Sequence, residues 1–334
     1  MAKTKTREIA SQEPVAQGLT ELVPSSLRAR PLSQLDFPRI AKDERLTREI
    51  EAALPRLATT HRMYLGDART SDAFDHGPVH LVVTSPPYWN LKEYNNSAGQ
   101  LGHIDDYDDF LHQLDKVWSR CFDALVPGGR LVCVVGDVCV SRRNNNGRHA
   151  VVPLHASILE RCRRIGFDSL ATVIWHKIAN AAYEVEGAGG FLGKPYEPNA
   201  VIKNDIEFIL MLRKPGAYRK PALATRIMSV VPEACHRRWF QQIWTGITGA
   251  STRQHPAPFP VEIGERLVRM FSFVGDTVLD PFSGAGTTSV AAARCGRNSV
   301  GIEIDSYYYE AALSRLTHET QRLFTAARIE RCPT

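Results

Sequence analysis

The chain has 334 residues, 43% of them hydrophobic and 23% charged, with a formal net charge of +5. That length suffices for one large α/β domain with a small appendage, and no apolar run approaches the roughly 18 residues of a membrane-spanning helix. The mild basic excess permits a nucleic-acid partner without requiring one, and the polar start Met1–Ala10 lacks the apolar stretch of a secretory signal, so a cytoplasmic protein is expected.

Residues 1–55 read as a charged, Pro-punctuated N-terminal extension with one helix from Asp43 to Leu54. A strand is predicted at His61–Leu65, followed by Gly66-Asp67. Val79–Thr84 is a second, β-branched strand that stops at Ser85-Pro86-Pro87-Tyr88, because two prolines cannot continue a central strand. Phe110, Leu114, Val117, Cys121 and Leu125 recur at helical spacing, which predicts a helix over Asp106–Leu125. Pro127-Gly128-Gly129 reads as a turn before a buried strand at Leu131–Val135. A helix over Pro153–Ile165 should end at Gly166. Leu170–Trp175 and Ile206–Leu212 are strand candidates for a final antiparallel pair. Residues 179–200 read as a mobile loop, and 215–254 as a basic, irregular stretch with Trp239, Phe240 and Trp244 interspersed. The last part alternates: helix Pro260–Phe273, strand Thr277–Leu279, helix to Arg294, strand Ser299–Ile304, helix Tyr307–Arg322. Such alternation means a doubly wound, mostly parallel sheet.

The seven cysteines are scattered without a C-x-x-C pair, and Cys133 and Cys139 lie in apolar runs. Buried reduced thiols are expected rather than disulfides or a zinc site, and no metal is expected. Basic residues cluster twice. Between Arg213 and Arg253 stand Arg213, Lys214, Arg219, Lys220, Arg226, Arg237, Arg238 and Arg253 against the single acid Glu233. A second run holds Arg142, Arg143, Arg148, Arg161, Arg163 and Arg164. A charge run is commonly a solvated face; flanking a catalytic motif it is a candidate for phosphate contact.

Two motifs carry chemistry. The predicted strand ending at Asp280 runs into Pro281-Phe282-Ser283-Gly284-Ala285-Gly286-Thr287-Thr288 and then a helix. Glycines there allow a tight turn and close approach of backbone to a ligand, and Glu303, at the end of the next strand, suits an acceptor for two ribose hydroxyls. Alone this is a weak signal, which a plain strand–helix turn or a nicotinamide site would also give; no G-K-[ST] follows, which disfavours a phosphate-binding loop. In Thr84-Ser85-Pro86-Pro87-Tyr88-Trp89 the rigid corner fixes the direction of a carbonyl. With the Ser85 hydroxyl it can accept hydrogen bonds from an amino group, while Tyr88 can stack on a flat base. Alone, this fits a Pro-rich turn with core aromatics as well.

Together, Asp280-Pro281-Phe282-x-Gly284-x-Gly286-Thr287-Thr288 and Ser85-Pro86-Pro87-Tyr88 resemble the two signature motifs of the DNA amino-methyltransferases, which act on N4 of cytosine or N6 of adenine. The resemblance spans roughly residues 60–325. The Ser85 motif precedes the glycine motif, the order of the beta group, whose fold is a circular permutation. The resemblance implies a Rossmann-like methyltransferase fold, circularly permuted, with a small target-recognition insertion. It divides the chain into an extension (1–55), a catalytic half (56–178), a mobile loop with the last strands and target-recognition region (179–254), and a cofactor half (255–334).

It further implies S-adenosylmethionine as cofactor, held by Asp67 at its adenine, by Thr84, by His255, Pro256 and Phe259 at its methionine end, and by Asp280, Pro281, Phe282, Ser283, Gly284, Gly286, Thr287, Thr288 and Glu303. Ser85, Pro86, Pro87 and Tyr88 become the catalytic set. Gly136-Asp137 and the segment Trp175-His176-Lys177 fall near the target-base pocket, and nothing makes His176 a base. Arg142, Arg143, Arg219, Lys220, Arg237 and Arg238 are the candidate contacts to double-stranded DNA. Ser before Pro-Pro favours cytosine N4; adenine N6 stays open, as do an RNA or protein substrate and a cofactor-dead module that only binds DNA. No Pro-Cys pair suggests the carbon-5 route. The group's habits imply a nucleoid-associated enzyme, a homodimer as candidate assembly, and a separate cognate restriction endonuclease.

Overall fold

The computed structural model describes residues 16–28, 33–89, 99–140, 145–177, 204–249, 259–322 and 326–332. In chain order the strands are β1 (Thr60–Leu65), β2 (Val79–Thr84), β3 (Leu125–Val135), β4 (Val138–Val140), β5 (Ala150–Val152), β6 (Asp168–Ser169), β7 (Val173–His176), β8 (Ile206–Arg213), β9 (Ile243–Trp244), β10 (Thr277–Asp280), β11 (Asn298–Glu303) and β12 (Arg328–Cys332). Ten of them form one sheet in the order β12-β1-β11-β10-β2-β3-β8-β7-β9, with β6 pairing β8; β4 and β5 form a separate hairpin.

From β12 to β3 every pairing is parallel, and β8 then runs antiparallel between β3 and β7. The order is what a permuted α/β sheet requires. β1, early in the chain, lies beside β11 with Leu65 opposite Glu303, so the Gly66-Asp67 turn is delivered to the same edge as Glu303. β10 and β2 are neighbours, Leu279 opposite Val82, which brings the glycine turn beside the Pro-Pro corner despite about 200 residues of separation.

One face of the sheet is covered by the helices Tyr107–Ala124 and Leu154–Ile165, whose Phe110, Leu114, Trp118, Ile158 and Cys162 are buried with Leu131 and Leu210. The other is covered by the helix Val261–Phe271, where Ile263 and Leu267 pack on Leu81, Val83, Val132 and Trp175. Burying these side chains supplies the main favourable free energy of the domain.

Two readings are corrected, and the placement of the extension, which the sequence left open, is given for its described part. β3 runs through Pro127-Gly128-Gly129 without a break; Pro127 is exposed near the end of the pairing, Gly128 adopts φ +78°, and the partner β2 shifts register between Val79 and Leu81 to absorb the irregularity. The described part of the stretch 215–254 is not irregular throughout, with helices Leu223–Met228 and Glu233–Trp239 before β9. The described part of the extension is packed, not appended: besides the predicted helix, found at Glu44–Ala53 with Asp43 as its cap, helices form at Ala16–Leu22, Ser25–Arg28 and Phe37–Lys42. Leu19, Leu27, Ile40, Leu46 and Ile50 share a core with Ile227, Met228 and Val274. All seven cysteines are unpaired thiols, and burial raises the thiol of Cys295 to about 11.

Candidate active site

The carboxyl ends of β1, β2, β10 and β11 enclose a cleft, the place where an open α/β sheet takes a ligand. Its lining includes Asp67, Ser85, Pro86, Pro87, Pro281, Phe282, Gly284 and Glu303. Beneath it lies Asp280, 1% exposed. One carboxylate oxygen accepts from the Thr84 hydroxyl (2.7 Å) and the Phe282 N–H (3.0 Å), the other from the Thr288 hydroxyl (2.7 Å). Every one of these donors is neutral, so burial pushes the Asp280 carboxyl up to about 6 against the opposing hydrogen bonds. The clamp ties the end of β2 to the glycine turn and thereby sets Ser85 relative to Gly284.

The turn closes at Gly286, φ +73°, where a Cβ would lie 3.1 Å from the Ala312 Cβ; only glycine fits both demands. Glu303 accepts from the Gly284 N–H (2.7 Å) on one oxygen and from the Asp305 N–H (2.9 Å) on the other. Burial raises its carboxyl to about 7, with Asp305 and Asp280 adding to the rise. Each oxygen keeps a lone pair for a ligand donor.

The cofactor set therefore divides. Asp67, Pro281, Phe282, Gly284 and Glu303 face the cleft. Thr84, Asp280 and Thr288 form the clamp below it. Ser283 lies over Gly301, where a Cβ would come within 2.8 Å of its hydroxyl, and that buried hydroxyl has no partner among the described residues. Thr287 accepts from Arg315 (3.1 Å). Phe259 is buried in the core beneath Val261–Phe271. None of these lines the cleft, and their contacts are with the turn and the core around it. His255 and Pro256 lie outside the described residues.

Sequence reasoning missed Arg69. Its guanidinium holds Asp67 through Nε (2.9 Å) and Nη2 (2.5 Å), and also reaches the Gly99 carbonyl (2.9 Å). Burial pushes the Asp67 carboxyl up, but the Arg69 bonds and charge outweigh it and hold the group below its ordinary value. No motif spacing marks this pair; only the fold of the turn after β1 brings it about.

Of the catalytic set, Ser85, Pro86 and Pro87 line the cleft. The Tyr88 ring is 6% exposed, and a Cβ on Gly136 would meet its Cε1 at 3.2 Å. Trp89 takes φ +48° and sets its ring 5.1 Å from Tyr107. Asp137 accepts from His155 Nδ1 at 2.6 Å, and the imidazole stacks on Phe208 at 3.7 Å.

The candidate DNA contacts do not converge. Arg219 binds Asp276 at 2.5 Å, and Asp276 immediately precedes β10, at the amino edge of the sheet and opposite the cleft. Lys220 is the exposed neighbour of Arg219. Both are corrected: the chain after β8 returns to the amino edge because β8 is antiparallel. Arg237 and Arg238 are exposed on Glu233–Trp239, Arg237 bonded to Glu233. Arg142 and Arg143, like the loop at 179–200, lie outside the described residues. On the cleft side, Arg148 and His149 are exposed between β4 and β5.

The DNA methylase family model matches residues 79–314. The chain is 39% identical over 280 residues to the type II methyltransferase M.MjaI of Methanocaldococcus jannaschii, covering 75% of this chain and 88% of that protein. It is 31% identical over 289 residues to M.MthZI of Methanothermobacter thermautotrophicus, covering 80% and 79%. Among solved structures it resembles a protein of Thermus thermophilus designated a DNA modification methylase and crystallised with S-adenosyl-L-methionine, at 49% identity and a TM-score of 0.66 over 82% of this chain and 99% of that one. With its permuted motif order, its shared cleft and these relatives, the chain belongs to the beta-class DNA amino-methyltransferases.

Proposed function

We propose that the chain methylates N4 of cytosine at a specific DNA sequence, as the modification half of a type II restriction-modification pair. The observation that carries this is the juxtaposition, along one cleft, of the Ser85-Pro86-Pro87 corner with Gly284 and Glu303. S-adenosylmethionine, when bound, supplies a methyl group activated by its sulfonium. The residues fit such a ligand: Gly284 brings bare backbone to the cleft, Glu303 offers lone pairs to vicinal hydroxyls, and Asp67 lines the same cleft. Glu303 and Asp280, which meet no charged donor among the described residues, suit a ligand with positive charge.

The amine of a base is a poor nucleophile because its lone pair is delocalised into the ring. The Ser85 hydroxyl and Pro86 carbonyl accept its hydrogens, favouring a more tetrahedral nitrogen, and positioning supplies much of the remaining acceleration. A paired base cannot reach this corner, so the target is flipped out of the duplex at a cost of about a few kcal/mol and stacked at Tyr88. The serine before Pro-Pro, commoner in the cytosine-N4 members that this corner resembles, supports cytosine.

The test is incubation of the protein with unmethylated genomic DNA and labelled S-adenosylmethionine, followed by nucleoside mass spectrometry. N4-methylcytosine is expected. N6-methyladenine would keep the chemistry and overturn the choice of base; no methylated nucleoside would overturn DNA as substrate.

A further inference from the structure

β3 ends at Val135, opposite Phe208 of β8, and Trp175 of β7 is the cross-strand partner of Glu207. The next residue after Val135, Gly136, therefore stands beside Glu207, and a Cβ there would meet the Glu207 Cγ at 3.4 Å as well as the Tyr88 ring at 3.2 Å. Tyr88 and Glu207 approach each other because residue 136 has no side chain. Trp175 and Glu207 share a face, and Lys177, two residues beyond Trp175, returns to it. The Lys177 ammonium pairs with the Glu207 carboxylate and lies 5.4 Å from the centre of the Trp175 ring. Glu207 is 7% exposed, while Lys177 is half-exposed at the edge of the sheet that carries the corner. Neither residue lines the cofactor cleft, and no step described above uses them.

We propose that Lys177 donates a hydrogen bond to the ring nitrogen beside the target amine, and that Glu207 is the positioning residue that holds it there. The proposal rests on the reading of this site as an amino-methyltransferase centre. In cytosine and in adenine the amine-bearing carbon adjoins a ring nitrogen, N3 or N1, whose lone pair lies in the ring plane. That nitrogen is more basic than the amine and competes with it for an electrophile. A donor placed on it occupies the competing lone pair. It also fixes the rotation of a stacked base within its own plane, which stacking leaves free, so that the amine is the group presented to Ser85 and Pro86. An ammonium has three donors and no acceptor; one directed at Glu207 leaves two for the base. The Glu207 charge offsets the ammonium, so positive charge growing on the amine is not repelled. Removing Lys177 alone strands a buried carboxylate, so the informative variant removes both charges.

The test uses a duplex carrying the sequence that the enzyme methylates, in its natural form and with the target replaced by its deaza analogue (3-deazacytosine, or 1-deazaadenine if adenine is the target). The analogue keeps the amine and puts C–H in place of the ring nitrogen. The wild type is expected to lose about 10- to 100-fold in kcat/KM on the analogue. The double variant Lys177→Met/Glu207→Leu is expected to lose a similar factor on the natural duplex and nothing further on the analogue, with S-adenosylmethionine affinity by calorimetry unchanged. Lys177→Arg should keep the preference for the natural duplex. Equal turnover of both duplexes by the wild type would overturn the proposal without any variant. So would a double variant that still discriminates between them. A wild type that methylates no DNA would instead overturn the parent reading, and this one with it.

Discussion

At the carboxyl edge of the sheet Asp280 and Glu303 are held only by neutral donors among the described residues, whereas at the amino edge Asp276 is held by the Arg219 guanidinium at 2.5 Å with His80 3.8 Å away. His80 keeps an unprotonated nitrogen for the Thr277 N–H (3.0 Å), and burial lowers its pKa, against Asp276. The amino edge is thus neutralised within the protein and serves the fold. At the carboxyl edge no charged donor among the described residues meets Asp280 or Glu303, at an energetic cost visible in the raised carboxyls, and a cationic ligand can use them.

The largest effect expected on this comparison is at the corner that the clamp positions. Ser85→Ala should lower kcat by about 10²- to 10³-fold, the scale for removing one polar group that acts on developing charge, with cofactor affinity by calorimetry unchanged; a variant within threefold of wild type would remove Ser85 from the chemistry. Asp280→Ala leaves the buried Thr84 hydroxyl and the Phe282 N–H without their acceptor, while the Thr288 hydroxyl keeps the Val83 carbonyl at 3.1 Å, a loss of about 2–3 kcal/mol, to be read as a fall in the denaturation midpoint. Arg219→Ala at the amino edge should also destabilise, but by only about 1–2 kcal/mol, because Asp276 keeps the Phe273 N–H; DNA affinity should not change.

Protonation sharpens the contrast. Asp280 at about 6 and Glu303 at about 7 stand above their values in an unfolded chain. Their protonated forms therefore stabilise the native state fully below about pH 4, and that contribution is lost as pH rises through 6 and 7. Cofactor binding should move the other way, since the acceptor form of Glu303 is the carboxylate: affinity should rise with pH through about 7. Glu303→Gln should flatten that profile and weaken binding by about tenfold. A profile unchanged in Glu303→Gln would detach Glu303 from the ligand. The smallest effect concerns DNA. Arg148→Ala, on the cleft side, should reduce the salt slope of binding by about one. Arg237→Ala and Arg238→Ala test whether the outer helix touches DNA too, and unchanged affinity in both would confine the contacts to the carboxyl edge.

The helices and strands flanking the two motifs were legible because each has a clean signal: apolar residues at helical spacing through Phe110–Cys121, β-branched runs at Val79–Thr84, and glycine or proline at the breaks. β12, the β4–β5 hairpin and β9 were not legible. They are two to five residues long, and Arg328–Cys332 is a charged edge strand that exists only because β1 offers it a partner. The helices of the extension depended on a distant acceptor as well, since Leu19, Ile40 and Ile50 are buried against Ile227 and Met228.

By itself the sequence determined the chemistry of this protein: which residues can turn tightly, which corner cannot remain in a sheet, and, through motif order, that the two halves of the fold are exchanged. Tertiary structure decided the roles within that list. Strand order determined that Thr84 and Thr288 grip Asp280 together, that Arg219 faces away from the cleft, and that Lys177 meets Glu207 beside Tyr88, while the turn after β1 set Arg69 against Asp67. The physical reason is that a local pattern encodes backbone geometry and burial, both short-range properties. The partner of a charge or a hydroxyl is set by which strands become neighbours, and in this chain those neighbours come from opposite ends.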